Sequence, residues 1–332
     1  MAKTFRLPKE EPLLNIASYA RGGPRAADRL TPSQIEHIRL TVNRAPEAVV
    51  KVLPRSSNDL KAVGKHIDYI GRRGDLKLEG DDGERLQGRV ADALLEDWDL
   101  DIDDVRRQGS LAAAIKRTPP KLVHKLMFSM PPGTPPQKVL SAVRNFAREE
   151  FYGNHRYAMV LHTDDPHPHV HLVLKAVSEQ GVRLNIKKAT LRHWRSQFAS
   201  HLRGLGVAAN ATDRVVRGKA ESSLKDGIYR SGLRGESRYL NGLASSRNAI
   251  GQELRSPTEV RSQKSAETRR SVLRGWAEIA RRFSQAGDHA FANDVLRFMQ
   301  TTSARGVEIE SRRIEVIADK YSTSRIDRAR TR

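Results

Sequence analysis

The sequence contains no cysteine, which excludes disulfide bonds and thiolate metal sites and fits a reducing compartment. No apolar run approaches the roughly 20 residues that a membrane-spanning helix needs, and the N-terminus lacks the apolar core of a secretory signal. No GxxxxGK(S/T) phosphate-binding loop occurs anywhere in the sequence. We therefore expect a cytoplasmic protein without membrane insertion, and one with no nucleotide-driven motor of its own.

The charge of the chain is strongly one-sided. Its 332 residues include 59 Lys and Arg against 39 Asp and Glu, which gives a formal net charge of +20. A surplus of this size favours a polyanion as the partner. The apolar fraction of 38% is enough for a buried core, and the length allows one large domain and a smaller one.

Histidine is concentrated in one short stretch. Four of the eleven histidines lie within the ten residues from His162 to His171. Residues 156–162 alternate as a strand does, residues 163–168 carry two aspartates and two prolines typical of a turn, and residues 169–177 alternate again. The pattern predicts an antiparallel hairpin.

The hairpin is predicted to bring three imidazoles together. His169 and His171 share a face because side chains alternate along a strand, and His162 at the end of the partner strand can face the same way. A single strand histidine is more often a surface or core residue, whereas three that converge favour a metal site. Asp164 is close enough to orient one of the rings, and His167, in the turn, is left out of the ligand set. Imidazoles bind Zn²⁺ or Mn²⁺ more tightly than Mg²⁺, so the sequence does not identify the metal.

A tyrosine follows the first predicted strand and helix. Residues 48–53 form a β-branched run, and Asn58 or Asp59 then caps a helix with apolar positions at intervals of three and four residues through Ile70. Tyr69 lies at the end of this helix, directly before a glycine and two arginines. On position alone, Tyr69 could be an ordinary half-buried aromatic residue.

Strands and helices continue around the hairpin. The patterns predict a strand over residues 121–130, a helix over 136–151, a short edge strand over 181–186 and a helix over 190–203. The predicted fold class is α+β, with a central antiparallel sheet and helices packed on it. The order of strand, helix and hairpin favours helices on one face of the sheet.

One segment reverses the overall charge. Residues 79–104 contain eleven acidic residues and two arginines. We expect an acidic insertion over about residues 79–118, solvated and with a helix around residues 87–98. Docking of this segment onto the basic remainder of the chain is the alternative.

The stretch HTDDPHPHVH, with its flanking strands, resembles the third motif of the conjugative relaxases, the mobilisation nucleases of the HUH endonuclease superfamily. Tyr69-Ile-Gly-Arg-Arg73 is similar to the first motif of that family. The resemblance covers about residues 45–220 and implies a palm-like nuclease domain in which His162, His169 and His171 hold a divalent metal, Mg²⁺ or Mn²⁺ in function, beside the nucleophile Tyr69. Tyr19 is the main rival, because many members carry the nucleophile near the N-terminus, but no strand precedes Tyr19.

The resemblance also implies two supporting roles. The segment Ser129-Met-Pro-Pro-Gly133 is similar to the part of the family where a serine holds DNA next to the cut, although serine before Pro-Pro is also common turn chemistry. Asp164 could hold His162 or His169 in one tautomer, which we favour, or help to take the tyrosine proton.

The remaining sequence indicates the domain organisation. We predict a basic flexible arm over residues 1–44, in which residues 32–42 could form one short helix, the nuclease domain over 45–220 and a mainly helical C-terminal region over 221–332. The C-terminal helices are predicted at residues 257–283, 288–299 and 307–321.

The resemblance implies a site- and strand-specific DNA nickase that acts at a plasmid transfer origin through a 5′-phosphotyrosyl intermediate. Its expected partners are single-stranded origin DNA, accessory relaxosome proteins and a type IV secretion coupling protein, with possible translocation beside the DNA. A rolling-circle replication initiator shares this chemistry, but its histidine pair usually precedes the tyrosine. A non-catalytic, metal-stabilised DNA-binding accessory protein is the third reading.

Overall fold

A six-stranded antiparallel sheet forms the larger of two compact units in the computed structural model of the chain. The structure describes residues 30, 32–53, 59–108, 120–217, 231, 234, 236, 238 and 257–302. Within these, the larger unit comprises the described residues from 39 to 211, and the other unit comprises those from 30 to 38 and from 212 onward. The predicted boundaries at residues 44 and 220 remain predictions.

The sheet has the strand order β1-β4-β6-β5-β2-β3, and each of its neighbouring pairs is antiparallel. Its strands are β1 (Val49–Val52), β2 (Leu78–Gly80), β3 (Arg85–Leu86), β4 (Val123–Ser129), β5 (Tyr157–His162) and β6 (His169–Lys175). This confirms the predicted α+β class with a central antiparallel sheet. The predicted edge strand over residues 181–186 is wrong, since this segment forms only an isolated bridge between Val177 and Arg183.

Seven of the helices in the described part of the chain lie close to their predicted positions, and the one over Leu100–Gln108 was not predicted. The helices are α1 (Pro32–Val42), α2 (Leu60–Ile70), α3 (Ala91–Asp97), α4 (Leu100–Gln108), α5 (Pro136–Phe151), α6 (Lys188–Gly204), α7 (Pro257–Gln285) and α8 (residues 289–302). Two short 3₁₀ turns span Arg72–Gly74 and Arg214–Arg217. In the described part of the chain, no helix is both long and apolar enough to cross a membrane.

Each face of the sheet is covered by helices. Side chains of α5 and α6, among them Phe146 and Trp194, pack on the face that carries Phe128 and Leu172. On the opposite face, α2, α3 and the residues after α3 pack on a second apolar cluster. The expectation of helices on one face is therefore wrong, because helical periodicity gives the width of an apolar stripe but not the face it meets.

The acidic segment is part of the core. Its strands β2 and β3 extend the sheet from β5. Trp98, at the end of α3, is only 1% exposed. Its carboxylates also meet basic side chains: Arg156 donates to Asp81 at 3.1 Å and pairs with Asp97. The expectation of a solvated insertion is thus wrong, and the docked alternative describes the segment.

The ion pair between Glu79 and Arg144 ties the acidic segment to α5. Arg144 donates to the two carboxylate oxygens of Glu79 at 2.5 and 2.7 Å, in a partly buried setting. We predict that Glu79→Gln lowers the free energy of unfolding by about 2 kcal/mol, because it leaves a partly buried guanidinium without its counter-charge. Urea unfolding measures this, with Arg106→Gln on the exposed face of α4 as the control. An unchanged unfolding midpoint would show that the pair contributes nothing.

The smaller unit contains α7 and α8, which confirms two of the three predicted C-terminal helices. Trp276 of α7 is buried, packs edge-on against Phe298 of α8 at a ring-centroid distance of 4.9 Å and donates its Nε1–H to the carbonyl of Val216 at 2.9 Å. The third predicted helix, over residues 307–321, and the predicted arm before residue 30 lie outside the described residues.

Candidate active site

Three histidines converge at one end of the sheet, where β5 meets β6. His162 is directly opposite His169 in the β5–β6 register, and Val160 is opposite His171. The three ring centroids lie 4.7 to 5.2 Å apart. One ligand nitrogen from each ring falls within 4.8 Å of the others. Since two nitrogens on one cation can be up to about 4 Å apart, small ring rotations suffice to complete a three-imidazole site.

Backbone carbonyls fix two of the rings. His162 donates from Nε2 to the carbonyl of Ile70 at 2.7 Å, so its lone pair is on Nδ1. His169 donates from Nδ1 to the carbonyl of His167 at 3.0 Å, so its lone pair is on Nε2. These carbonyls hold the tautomers in the way that a metal site requires, a role that the sequence analysis gave to Asp164.

The site favours uncharged imidazoles. Burial lowers the pKa of His162, and burial with the neighbouring histidines lowers the pKa of His171 to about 3. Both rings are therefore neutral and able to bind a cation at neutral pH. Nδ1 of His171 is buried without a hydrogen-bond partner among the described residues, and a buried polar atom of this kind calls for an additional partner. The donor set fits a divalent cation, as predicted.

Tyr69 lies on α2, near the end of the sheet where the three histidines converge. The helix is capped by Asp59, whose side chain accepts from the amide of Ala62 at 3.1 Å, and it buries Ile67 and Ile70. Tyr69 is on the other side of the helix and is 61% exposed. An exposed phenol at the end of a well-anchored helix is accessible to a large substrate.

His66 connects Tyr69 to the histidine triad. Its ring stacks with that of Tyr69 at a centroid distance of 6.4 Å and meets His171 edge-on at 6.3 Å. His66 was not among the predicted site residues. The sequence spacing could have predicted its position, because residues three apart on a helix are neighbours and His66 is three residues before Tyr69.

Arg72 touches three of the predicted site residues. Its guanidinium pairs with Asp164, approaches Nδ1 of His162 at 3.4 Å and lies 5.6 Å from the ring centre of Tyr69. The backbone of Arg72 has φ 52°, and that of Arg73 has φ 57°, in the left-handed region that non-glycine residues rarely adopt. Such strain is frequent at functional sites. The sequence pattern places Arg72 in a motif but does not predict these contacts.

Ser129 and Asp164 lie at the same end of the sheet. Ser129 ends β4 directly opposite His169, so its side chain is on the histidine face, where it is largely buried. Asp164 begins the turn after β5, is exposed and has its Oδ1 4.0 Å from Nδ1 of His162. The structure thus brings all six predicted site residues to one region.

Two other described tyrosines are placed away from this region. Tyr157 is buried in the apolar cluster on the opposite face, and burial raises its pKa to about 12. It begins β5, five residues from His162, a separation of roughly 17 Å along an extended strand. Tyr152 is exposed but follows α5, before the start of β5. Tyr19, Tyr229, Tyr239 and Tyr321 lie outside the described residues.

An antiparallel sheet with a histidine triad at one end and an exposed tyrosine beside it is the arrangement expected from the resemblance to the relaxases. Residues 82–202 match the family model described as the nuclease domain of MobA/VirD2-like relaxases. This match supports a relaxase-type nuclease domain over these residues. The matched stretch includes the three histidines, Asp164 and Ser129, while Tyr69 precedes it.

Among curated proteins, the chain is similar to the T-DNA border endonuclease VirD2 of Rhizobium radiobacter. The two are 24% identical over 210 residues, which cover 53% of this chain and 44% of the relative. The chain therefore matches less than half the length of this relative. Together, the family match and this relative support DNA nicking of the relaxase type.

Proposed function

We propose that the chain is a site- and strand-specific DNA nickase that cleaves by attack of Tyr69 on a phosphodiester at a plasmid transfer origin. One observation carries the proposal: an exposed tyrosine, an arginine and three histidines meet at one end of a relaxase-type sheet. A nucleophile beside a cation-binding triad is what transesterification of a phosphodiester needs.

In the proposed step, the phenol oxygen of Tyr69 attacks phosphorus and the bond from phosphorus to the 3′ oxygen breaks. The phenol proton passes to a neighbouring base or to water, and the departing 3′ oxygen takes up a proton. The products are a 5′-phosphotyrosine and a free 3′-hydroxyl, so the phosphodiester energy is conserved and strands can be rejoined. The DNA has to enter as a single strand, since a duplex does not present its backbone for in-line attack.

His162, His169 and His171 are the proposed ligands of Mg²⁺ or Mn²⁺, and Zn²⁺ also suits them. The bound ion would draw charge from a non-bridging phosphate oxygen, as a Lewis acid does. Tyrosine has an ordinary pKa near 10, so an unassisted phenol is a weak nucleophile at neutral pH. The bound ion would take the lone pair of His162 Nδ1 in place of the contact from Arg72. The carbonyls of Ile70 and His167 keep the rings of His162 and His169 oriented.

Arg72 is the proposed second positive charge at the phosphate. Its guanidinium lies between Tyr69 and His162, and Asp164 holds it there. This gives Asp164 its proposed catalytic role, through Arg72 rather than through a histidine. Ser129, opposite His169, is the proposed contact for the DNA beside the cut.

Arg72→Lys tests this arrangement. We predict that it lowers the rate of adduct formation by about 10- to 100-fold, because an ammonium cannot keep the planar pair with Asp164 and also reach the phosphate. Single-turnover assays measure the rate, and titration with Mn²⁺ measures metal affinity, which should stay within about threefold. Arg73→Lys, the exposed neighbour, is the matched control. A wild-type rate for Arg72→Lys would remove Arg72 from the proposed chemistry.

The biological setting follows from the proposed reaction. A nick that stores its energy in a covalent bond suits the start of plasmid mobilisation, in which one strand is transferred and later rejoined. Accessory proteins that expose the single strand and a type IV coupling protein are the proposed partners. In this setting the protein acts in the bacterial cytoplasm and can accompany the DNA during transfer.

The direct test uses a pool of random-sequence single-stranded DNA with the protein and Mn²⁺. We expect an adduct that survives denaturing detergent, and sequencing of the captured strands should return one preferred cleavage sequence. Binding without any adduct would overturn the nickase and favour the accessory DNA-binding protein.

A further inference from the structure

A basic pocket lies on the face of the sheet opposite the histidine triad. It is a pocket of about 690 Å³ beside β1, the start of β4 and the start of α6. Its lining includes four exposed cationic side chains: Lys121, Arg183, Lys187 and Lys188. The remaining lining residues are His124, Val52, Leu184, Asn185, Ile186 and Leu191, so no lining residue is acidic.

The four cations have no carboxylate partner in the described part of the chain. Arg183 donates to the backbone carbonyl of Lys121 at 2.6 Å, which brings two of the positive residues together without neutralising either. The two undescribed segments adjoining the pocket residues in sequence, 54–58 and 109–119, contain no acidic residue. Among the described residues, no carboxylate within ion-pair distance balances the positive charge of the pocket.

The start of α6 adds to this charge. Lys187 is the N-cap residue of this 17-residue helix, Lys188 is its first residue, and its first turn contains no acidic side chain. The N-terminus of a helix already carries a partial positive charge, so lysines there are unfavourable unless an anion is bound. Helix stability alone would favour acidic residues, not lysines, at this N-terminus.

One lining residue of the pocket, His124, is largely buried. His124 is 8% exposed and donates from Nε2 to the carbonyl of Leu184 at 3.2 Å. Its Nδ1 is buried without a hydrogen-bond partner among the described residues. Burial, with Lys121 and Arg183 nearby, lowers the pKa of His124 to about 4, so the charge at neutral pH comes from the four lysine and arginine side chains.

The pocket is separate from the candidate active site. His124 and Ser129 belong to the same strand, five positions apart, which is a separation of roughly 17 Å. Their side chains also point to opposite faces, since His124 pairs with Leu174 and Ser129 pairs with His169. A ligand in the pocket cannot touch the histidine triad.

We propose that this pocket binds phosphates of the single-stranded DNA substrate several nucleotides from the cleaved bond. The inference rests on the proposed function, because it is the nicked strand that would extend from the active site to the pocket. Exposed lysines and an arginine suit a flexible phosphate backbone, and the partly buried Leu184 and Ile186 offer apolar surface beside it. The pocket would anchor the strand and would leave the chemical step to the active site.

The test compares two variants that each remove two positive charges. Lys187→Gln/Lys188→Gln alters the pocket, and Lys77→Gln/Arg106→Gln removes two exposed charges from the acidic side of the same unit. Fluorescence anisotropy gives the affinity of each for oligothymidylates of about 30 and about 10 nucleotides over a range of salt concentrations. Loss of fold is not expected, since removing lysines from a helix N-terminus relieves repulsion.

We expect the pocket variant to bind the longer oligonucleotide at least about fivefold more weakly, with a salt slope reduced by about 1.4 for two lost phosphate contacts. Its affinity for the shorter oligonucleotide should fall less, and the control should stay close to wild type. Equal losses in the two variants, unchanged binding by the pocket variant, or a loss confined to duplex DNA would each overturn the proposal. Absence of an adduct with the wild-type protein would overturn the nickase proposal instead, and the binding comparison would still decide the role of the pocket.

Discussion

Tyr69→Phe is expected to abolish the covalent adduct with single-stranded DNA, with a fall in cleavage of at least about 1,000-fold. The change removes one oxygen atom, the proposed nucleophile, and leaves the ring in place. Because the side chain is 61% exposed, the fold should tolerate the substitution. Denaturing gel electrophoresis measures the adduct, and anisotropy should show DNA affinity within about threefold of wild type.

Tyr152→Phe provides the matched control, because Tyr152 is also an exposed tyrosine, at 65%, in the same unit. It should form the adduct at the wild-type rate. Full adduct formation by Tyr69→Phe would reject Tyr69 as the nucleophile and direct attention to Tyr19, the alternative from the sequence.

Removing two of the three imidazoles is expected to have the second large effect. His169→Ala/His171→Ala should weaken Mn²⁺ binding by at least about 100-fold and lower cleavage at saturating DNA to a similar extent. One ring cannot hold the ion, while most of the basic surface that binds DNA is unchanged. Isothermal titration calorimetry gives the metal affinity, and the single-turnover rate gives the cleavage.

Two further variants make this result interpretable. His169→Ala alone removes a half-exposed ring, so it tests the site even if loss of the buried His171 destabilises the fold. His167→Ala removes an exposed ring of the same turn whose side chain contacts Asp165, and it should retain metal binding. If His167→Ala loses as much affinity as His169→Ala, the ligand set is wrong. Loss of DNA affinity and melting temperature together, with no cleavage in the wild type, would support the accessory-protein reading.

The hairpin could be predicted because its signals are local. The alternation of the two strands and the proline-rich turn between them predict the β5–β6 pairing. In the structure this pairing places His162 opposite His169. The helix that carries Tyr69 followed in the same way from an Asp59 cap and a regular apolar stripe. Periodicity and turn chemistry are sufficient wherever neighbours in sequence decide the structure.

The position of the acidic segment could not be predicted in this way. Its carboxylates favour solvent when each is considered alone, but Glu79 and Asp81 meet arginines that lie 65 and 75 residues further along the chain. Trp98 was the available sign of burial, because a tryptophan in a polar segment usually packs against something. Long-range pairing outweighed the local preference.

The contacts that orient the residues of the candidate site could not be predicted from the sequence either. Arg72 meets Asp164 across 92 positions of sequence, and Ile70 meets His162 through a backbone carbonyl that no side-chain pattern reveals. The residue types of the site could therefore be predicted, but the role of orienting a histidine ring was assigned to Asp164. Only the three-dimensional arrangement shows that carbonyls hold the rings and that Asp164 holds Arg72.

Mass spectrometry of the wild-type adduct tests the central claim most directly. The protein is incubated with cleavable single-stranded DNA and Mn²⁺, the DNA is digested to a short remnant, and the modified peptide is identified. We predict that the remnant is attached to Tyr69 through a 5′-phosphate. Attachment to any other tyrosine, or cleavage that leaves no nucleotide on the protein, would contradict the mechanism proposed for this site.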